Sequence, residues 1–190
     1  MELRQHKLWW QSSYDRGLQH LLKMWPKIKG QYPDATLDIA YGWDLFATRF
    51  ANNPERMAWK DKMCELMKSD GITEHGRIGQ DKLRELRGKC GIWAYTTDFD
   101  EINCIGALEA QASGVVPCVI NQAALKETVG SGVKVDGDIY DGDVREEYLK
   151  QILDLMGDEK KWLSEQEKGI KFAKNYSWPL IADAWIKEFV

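Results

Sequence analysis

Six short apolar runs, set apart by helical stretches and polar turns, constrain this chain more than any other feature of it. The runs are Lys7–Gln11, Thr36–Tyr41, Ile72–His75, Gly91–Tyr95, Val115–Ile120 and Val133–Val135. Between the first two, Leu18, Leu21, Leu22, Trp25 and Ile28 recur at helical spacing up to about Tyr32. Helices are also expected over 54–68, where Pro54 suits a first turn, over 80–87, and from Ile102 to Ser113, stopped by Gly114. A short helix over 123–129 precedes the last run, and 144–157, 159–175 and a Trp-rich tail over 178–189 follow it. Strand–helix alternation of this kind predicts an α/β, doubly wound parallel sheet of about six strands with helices on both faces. Val115–Ile120 is nearly all apolar, as strands covered on both faces tend to be. No linker or internal repeat divides the sequence, so residues 1–190 are expected to form a single domain.

A chain of 190 residues buries roughly 70% of its unfolded surface and needs no disulfide or metal to hold it. Lys and Arg total 26 against 30 Asp and Glu, a net charge of −4, which argues against a nucleic-acid partner. No apolar run approaches the ~18 residues of a membrane span, and Met1–Lys7 is polar and mixed in charge, unlike a signal peptide. A cytoplasmic location without a transmembrane segment is the expectation. Cys64, Cys90, Cys104 and Cys118 form no CxxC pair and are read as reduced, buried thiols. Among the nine Trp, residues 9, 10, 25, 93, 162, 178 and 185 are expected to pack in the core and between helices. Trp43, just past a strand end, is open to either a core or a site role.

Ligands of open α/β sheets bind outside the carboxyl ends of the strands. That directs attention to the loops 11–17, 42–46, 75–80 and 96–102. The turn Ser12-Ser13-Tyr14-Asp15-Arg16-Gly17 leads into a helix, where free amides and the dipole favour a phosphate; Gly17 removes a side chain at the closest approach, and Arg16 suits phosphate oxygens. An ordinary capped turn with a solvated Arg16 is the competing reading. In the segment Asp98 to Gly114, Glu101 and Glu109 stand eight positions apart, about 12 Å along a helix. That is too far for a glycosidase-type acid/base pair but suits two hydroxyl-bearing parts of one extended ligand. Glu109 lies in the apolar stretch Ala107-Leu108-Glu109-Ala110-Gln111-Ala112, where a buried carboxylate needs a partner.

Glu101 and Glu109 form an E-x7-E pattern continued by Ala110-Gln111-Ala112-Ser113-Gly114, and here the chain resembles the C-terminal, nucleotide-sugar-binding half of a GT-B glycosyltransferase of the group 1 type (family four, retaining). Ser13–Leu18 is similar to that family's phosphate turn, His75-Gly76-Arg77-Ile78 to its nucleotide-base loop, and Ala123–Val129 to the segment after the fifth strand. The resemblance covers about residues 5–190. It implies a donor-binding domain of a glycosyltransferase that moves a sugar from a nucleotide diphosphate sugar to a hydroxyl acceptor with retention. It also implies that Glu109 binds the ribose, Glu101 the donor sugar, and the amides of Ile102 and Asn103 the sugar or diphosphate. Arg16 would neutralise the departing diphosphate, Ser13 and Gly17 would shape the phosphate turn, and Arg77 and Ile78 would hold the base.

Two departures stand out. The second cation usual five or six residues before the position of Arg16 is replaced by Trp10-Gln11-Ser12. The acceptor-binding N-terminal half is missing, which points to a fragment, an excised domain or a subunit needing a partner, inactive by itself. In the parent family the last helix crosses to that other half. A non-catalytic nucleotide-sugar-binding module, or half of a sugar-nucleotide epimerase or phosphorylase of the same fold, is the alternative. Asp98-Phe99-Asp100 and Asp136-Gly137-Asp138 mimic an Asp-x-Asp metal motif but are read as solvated loops, and His6, His20 and His75 lack ligand spacing. No metal or other cofactor is expected.

Overall fold

The computed structural model describes residues 4–189. Six strands, β1 (Lys7–Gln11), β2 (Thr36–Ala40), β3 (Ile72–Glu74), β4 (Ile92–Tyr95), β5 (Val116–Ile120) and β6 (Val133–Val135), form one sheet. The helices are α1 (Leu18–Gln31), α2 (Asp44–Phe50), α3 (Pro54–Leu66), α4 (Gln80–Lys89), α5 (Ile105–Ala112), α6 (Leu125–Thr128), α7 (Gly142–Gly157), α8 (Glu159–Ala173) and α9 (Trp178–Phe189). Every strand pair is parallel, and the order is β3-β2-β1-β4-β5-β6. The chain winds outward from β1 to one edge and then from β4 to the other, so the order reverses between β1 and β4. Crevices open at the carboxyl ends of strands at such a point.

The sheet interior is unusually aromatic. Trp9, Trp10, Trp25, Trp93 and Trp162 are all buried. Their indole N–H groups account for much of the local order: Trp25 donates to the Asp70 carbonyl (2.8 Å), Trp162 to Gly91 O (3.0 Å) and Trp10 to Ser12 O (3.0 Å). The first two bonds tie α1 and α8 to the residues just ahead of β3 and β4, and the third holds the turn after β1, while the rings fill the core.

Several elements differ from the sequence reading. The helix expected from Ile102 begins at Ile105, since residues 101–104 turn away from helical geometry before Cys104 caps it. The 12 Å helical offset between Glu101 and Glu109 therefore does not apply. Residues 42–46 were expected to be loop, yet α2 starts at Asp44; Phe46 and Phe50, one helical turn apart, pack on each other, Phe46 also on Trp59 of α3, and Arg56 of α3 lies over both rings. Trp178 and Trp185 are not packed: they are 84% and 66% exposed, beside exposed Leu180, Ile186 and Phe189, and no residue of α9 is buried. Cys90, Cys104 and Cys118 are buried and Cys64 only half-buried, all four as free thiols. Burial pushes the Cys104 thiol up to about 11 and Cys90 and Cys118 to about 12.

His20, on the first turn of α1, is 2% exposed with its ring edge-on to Tyr140, and its Nδ1 has no partner. Burial lowers its pKa to about 4; the nearby Asp98 and Asp138 oppose this, and Lys23 and Arg145 reinforce it. The folded chain thus keeps His20 neutral while an unfolded His takes a proton near 6.5. Stability present above that pH is expected to fall as pH drops from about 6.5 to about 4, by up to about 3 kcal/mol. Urea midpoints across this range should decline more gently for His20→Gln than for the unaltered chain; equal slopes would contradict the assignment.

Candidate functional site

A cavity of about 360 Å³ opens at the carboxyl ends of β1 and β4. It draws residues from all four loops that the strand-end rule singles out. Gln11, Ser12 and Arg16 form one side; Tyr41 and Leu45 a second; Arg77, Ile78 and Gln80 a third. Trp93 and Tyr95 lie beneath, and Glu101 with residues 103–106 complete the rim.

Arg16 reaches this rim because the Ser13–Arg16 turn, closed by Arg16 N donating to Ser13 O (3.1 Å), leads into α1 through Gly17. Its Nη1 donates to Glu101 Oε1 at 3.1 Å, and the guanidinium lies 3.8 Å from the Phe99 ring centroid. That leaves four of its five N–H donors for a ligand. Tyr95 donates to the same Glu101 oxygen at 2.6 Å and shares a hydrogen bond with Ser12 Oγ (3.1 Å). Burial and the Glu101 carboxylate push the Tyr95 hydroxyl far above its ordinary pKa, so it remains a donor. Glu101 Oε2 takes no bond from any described residue.

The first turn of α5 meets the same space. Its N-cap, Cys104, makes no side-chain capping bond, and the amides of Ile102 and Asn103 donate to no described residue. These two amides lie one and two residues ahead of the N-cap, beside the positive end of the α5 dipole, a place that suits an anion. Opposite them, His75 Nε2 and Asp38 Oδ1 pair at 2.6 Å behind the 76–78 loop, and Tyr41 N donates to Gly76 O (3.1 Å). A Cβ on Gly42 would stand 2.7 Å from Arg77 N, so the glycine lets this loop close onto the end of β2.

Glu109 lies outside the cavity lining, joined to it through Gln11. Its side chain is 35% exposed rather than buried, and the partner its position calls for is Arg87 of α4, itself 7% exposed. Arg87 Nη1 donates to Glu109 Oε2 (2.8 Å), as does Gln11 Nε2 (3.1 Å). Arg87 was not singled out in the sequence, because nothing in the α4 pattern marks one basic residue above its neighbours.

The other expected positions separate. Ser13 donates to Asp15 Oδ1 (2.6 Å) and Gly17 packs on the Thr96 carbonyl, neither lining the cavity; Ile102 is 96% exposed at its lip. Trp43 is not in the cavity: α2 begins so soon after Gly42 that its ring folds back on Tyr14, Phe46 and Trp59 at 4.7–6.0 Å. The Asp-rich turns are largely solvent-exposed, as the sequence reading has them, and carry local bonds at the surface. Asp98 accepts from Tyr140 (2.7 Å), Asp136 from Asn121 (2.7 Å), and Asp138 from the Tyr140 amide. Among the described residues no three His, Cys, Asp or Glu side chains gather as a metal site, and no helix is long and apolar enough to cross a membrane.

Fold and cavity together define a doubly wound α/β protein with an anion-favouring crevice at its topological switch point. Residues 11–175 match the family of group 1 glycosyl transferases, and the chain belongs to that family. It is 23% identical over 176 residues to a GDP-Man:Man(3)GlcNAc(2)-PP-Dol alpha-1,2-mannosyltransferase of Dictyostelium discoideum, covering 90% of this chain and 32% of that protein. The pneumococcal O-GlcNAc transferase GtfA, solved with UDP and GlcNAc, superposes with a TM-score of 0.72 at 14% identity, over 96% of this chain and 35% of that one. Sucrose-phosphate synthase from Thermosynechococcus elongatus gives 0.72 at 18% identity, over 96% and 44%. The chain therefore spans about a third of the curated relative's length, and its architecture is that of one half of a GT-B fold.

Proposed function

We propose that this chain holds a nucleotide diphosphate sugar across the β1/β4 crevice and serves as the donor half of a retaining glycosyltransferase acting on a hydroxyl acceptor. The observation that carries this reading is the state of the two glutamates. Glu101 and Glu109 each have one oxygen held by this chain's own donors and the other bonded to no described residue, Glu101 on Arg16 and Glu109 on Arg87 and Gln11. Free Oε2 of Glu101 accepts from the donor sugar's hydroxyls, and free Oε1 of Glu109 from the ribose. The remaining Arg16 donors and the Ile102 and Asn103 amides receive the diphosphate, where negative charge grows as the sugar–phosphate bond breaks. Ser13 and Gly17 hold the turn that aims Arg16. The base rests between the 77–78 loop and the wall of Tyr41 and Leu45, with Arg77 as a further cation near the phosphates in place of the one missing at Trp10-Gln11-Ser12.

Arginine, amides and the α5 dipole meet the diphosphate charge without a divalent ion. The exposed apolar face of α9 is the seat of the acceptor-binding half, and transfer takes place in the cytoplasm. Calorimetry with UDP-, GDP- and ADP-sugars in EDTA is expected to give a binding isotherm with one of them, unchanged by magnesium. No heat with any at millimolar concentration would overturn the donor site. Binding that required magnesium or manganese would overturn metal independence.

A further inference from the structure

Arg87 is buried, comes from α4, and has no place in the phosphate or sugar contacts above, yet its bonds converge on one glutamate. Nη1 donates to Glu109 Oε2 at 2.8 Å and to Gln11 Oε1 at 3.1 Å. Nε donates to Ser113 Oγ at 3.1 Å, and that hydroxyl donates on to the Glu109 carbonyl at 2.8 Å. Gln11, whose Oε1 also accepts from Trp9 Nε1 (3.1 Å), donates to Glu109 Oε2 at 3.1 Å. The guanidinium thus grips the glutamate by its carboxylate and, through Ser113, by its backbone. All the donors fall on Oε2. Fixing a carboxylate at one oxygen fixes the direction in which the other points, and a rigidly aimed acceptor discriminates a hydroxyl from a hydrogen far better than a mobile one.

We infer that Arg87 is a positioning residue for ribose recognition: with Gln11 and Ser113 it clamps Glu109 so that Oε1 alone faces the nucleotide. This rests on the reading of Glu109 as the ribose ligand. A buried arginine with a single acidic partner is also what a purely structural ion pair looks like, so the test must read something stability does not move.

That quantity is the ratio of affinities for the ribonucleotide and its 2′-deoxy counterpart. The tightest binder among UDP, GDP and ADP, its 2′-deoxy form, and inorganic pyrophosphate are titrated against the unaltered chain, Glu109→Gln, Arg87→Gln and Arg87→Lys. The unaltered chain is expected to prefer the ribo form at least about tenfold, as losing one good hydrogen bond to a charged acceptor predicts. In Glu109→Gln and both Arg87 variants the preference should collapse to within about twofold, while pyrophosphate affinity stays within about twofold of the original. Should Arg87→Gln not fold, Arg87→Lys, which keeps a cation against Glu109 but cannot span Gln11 and Ser113 together, carries the comparison. A preserved ribo preference in the folded Arg87 variants overturns the positioning role. An unaltered chain without any ribo preference overturns the ribose reading of Glu109 itself, and the clamp with it.

Discussion

Purified as these 190 residues, the chain is expected to bind a nucleotide diphosphate sugar and transfer no sugar to any acceptor. In the reading proposed above the crevice at the β1/β4 switch point takes the donor, but its outer side is open: Ile105 and Leu45 on its lining and the neighbouring Ile102 stand exposed. Orientation of two reactants contributes ~7–11 kcal/mol to lowering a barrier, a factor of roughly 10⁵ to 10⁸, and an open face orients no acceptor and excludes no water. The apolar face of α9, proposed above as the seat of the acceptor-binding half, is exposed as well. A radiolabelled-donor assay over a panel of hydroxyl acceptors checks this. Background-level transfer beside measurable donor binding is the expected outcome; sustained turnover would mean that an acceptor site lies within these residues.

Gly17→Ala should come close to abolishing the fold. Gly17 has φ +100°, and a Cβ there would stand 2.0 Å from the Thr96 carbonyl oxygen and 3.0 Å from Thr97 Cα. Nothing at that contact is a flexible side-chain end. Thr96 Oγ1 also donates to Gly17 O at 2.9 Å, a buried bond joining the start of α1 to the end of β4. Left-handed strain and overpacking together cost roughly 3–5 kcal/mol, a large part of an ordinary domain's stability. Gly76→Ala is the control: φ is +66° but no atom lies within 4 Å of its Cβ, so only backbone strain of about 1 kcal/mol applies. Urea unfolding should separate the two variants by at least about 2 kcal/mol; equal losses would show that the Thr96 contact yields easily.

Gly17 also marks where reading residues one at a time stops. As a residue of a phosphate turn it invites the idea that its missing side chain makes room for a ligand, but the crowding comes from Thr96, which is seventy-nine positions away. The sheet itself was legible, because apolar runs and helical repeats are local properties of the chain, and all six runs became strands. The helix α2 escaped because its seven residues carry too little periodicity, and its Phe46 and Phe50 are organised by Trp59 and Arg56 of another helix. Trp43 went with it. At the crevice, Arg16 and Glu101 were visible as residue types at strand ends, and the structure pairs them directly. Arg87 and Tyr95 were not, since each is defined by the carboxylate it holds and no motif spacing links them to it. The exposed tryptophans of α9 show the same limit from the other side, for an amphipathic helix reads alike in sequence whether its apolar face is covered or open.

The most direct test of the donor-site assignment is to locate a bound nucleotide on the chain by amide hydrogen exchange. With saturating UDP, GDP or ADP, whichever binds, protection is expected within residues 12–18, 76–80 and 101–106, and none is expected in the Asp-rich loop 136–143. Protection confined to 136–143, or no protected segment at the carboxyl ends of β1 and β4, would contradict a nucleotide site in this crevice.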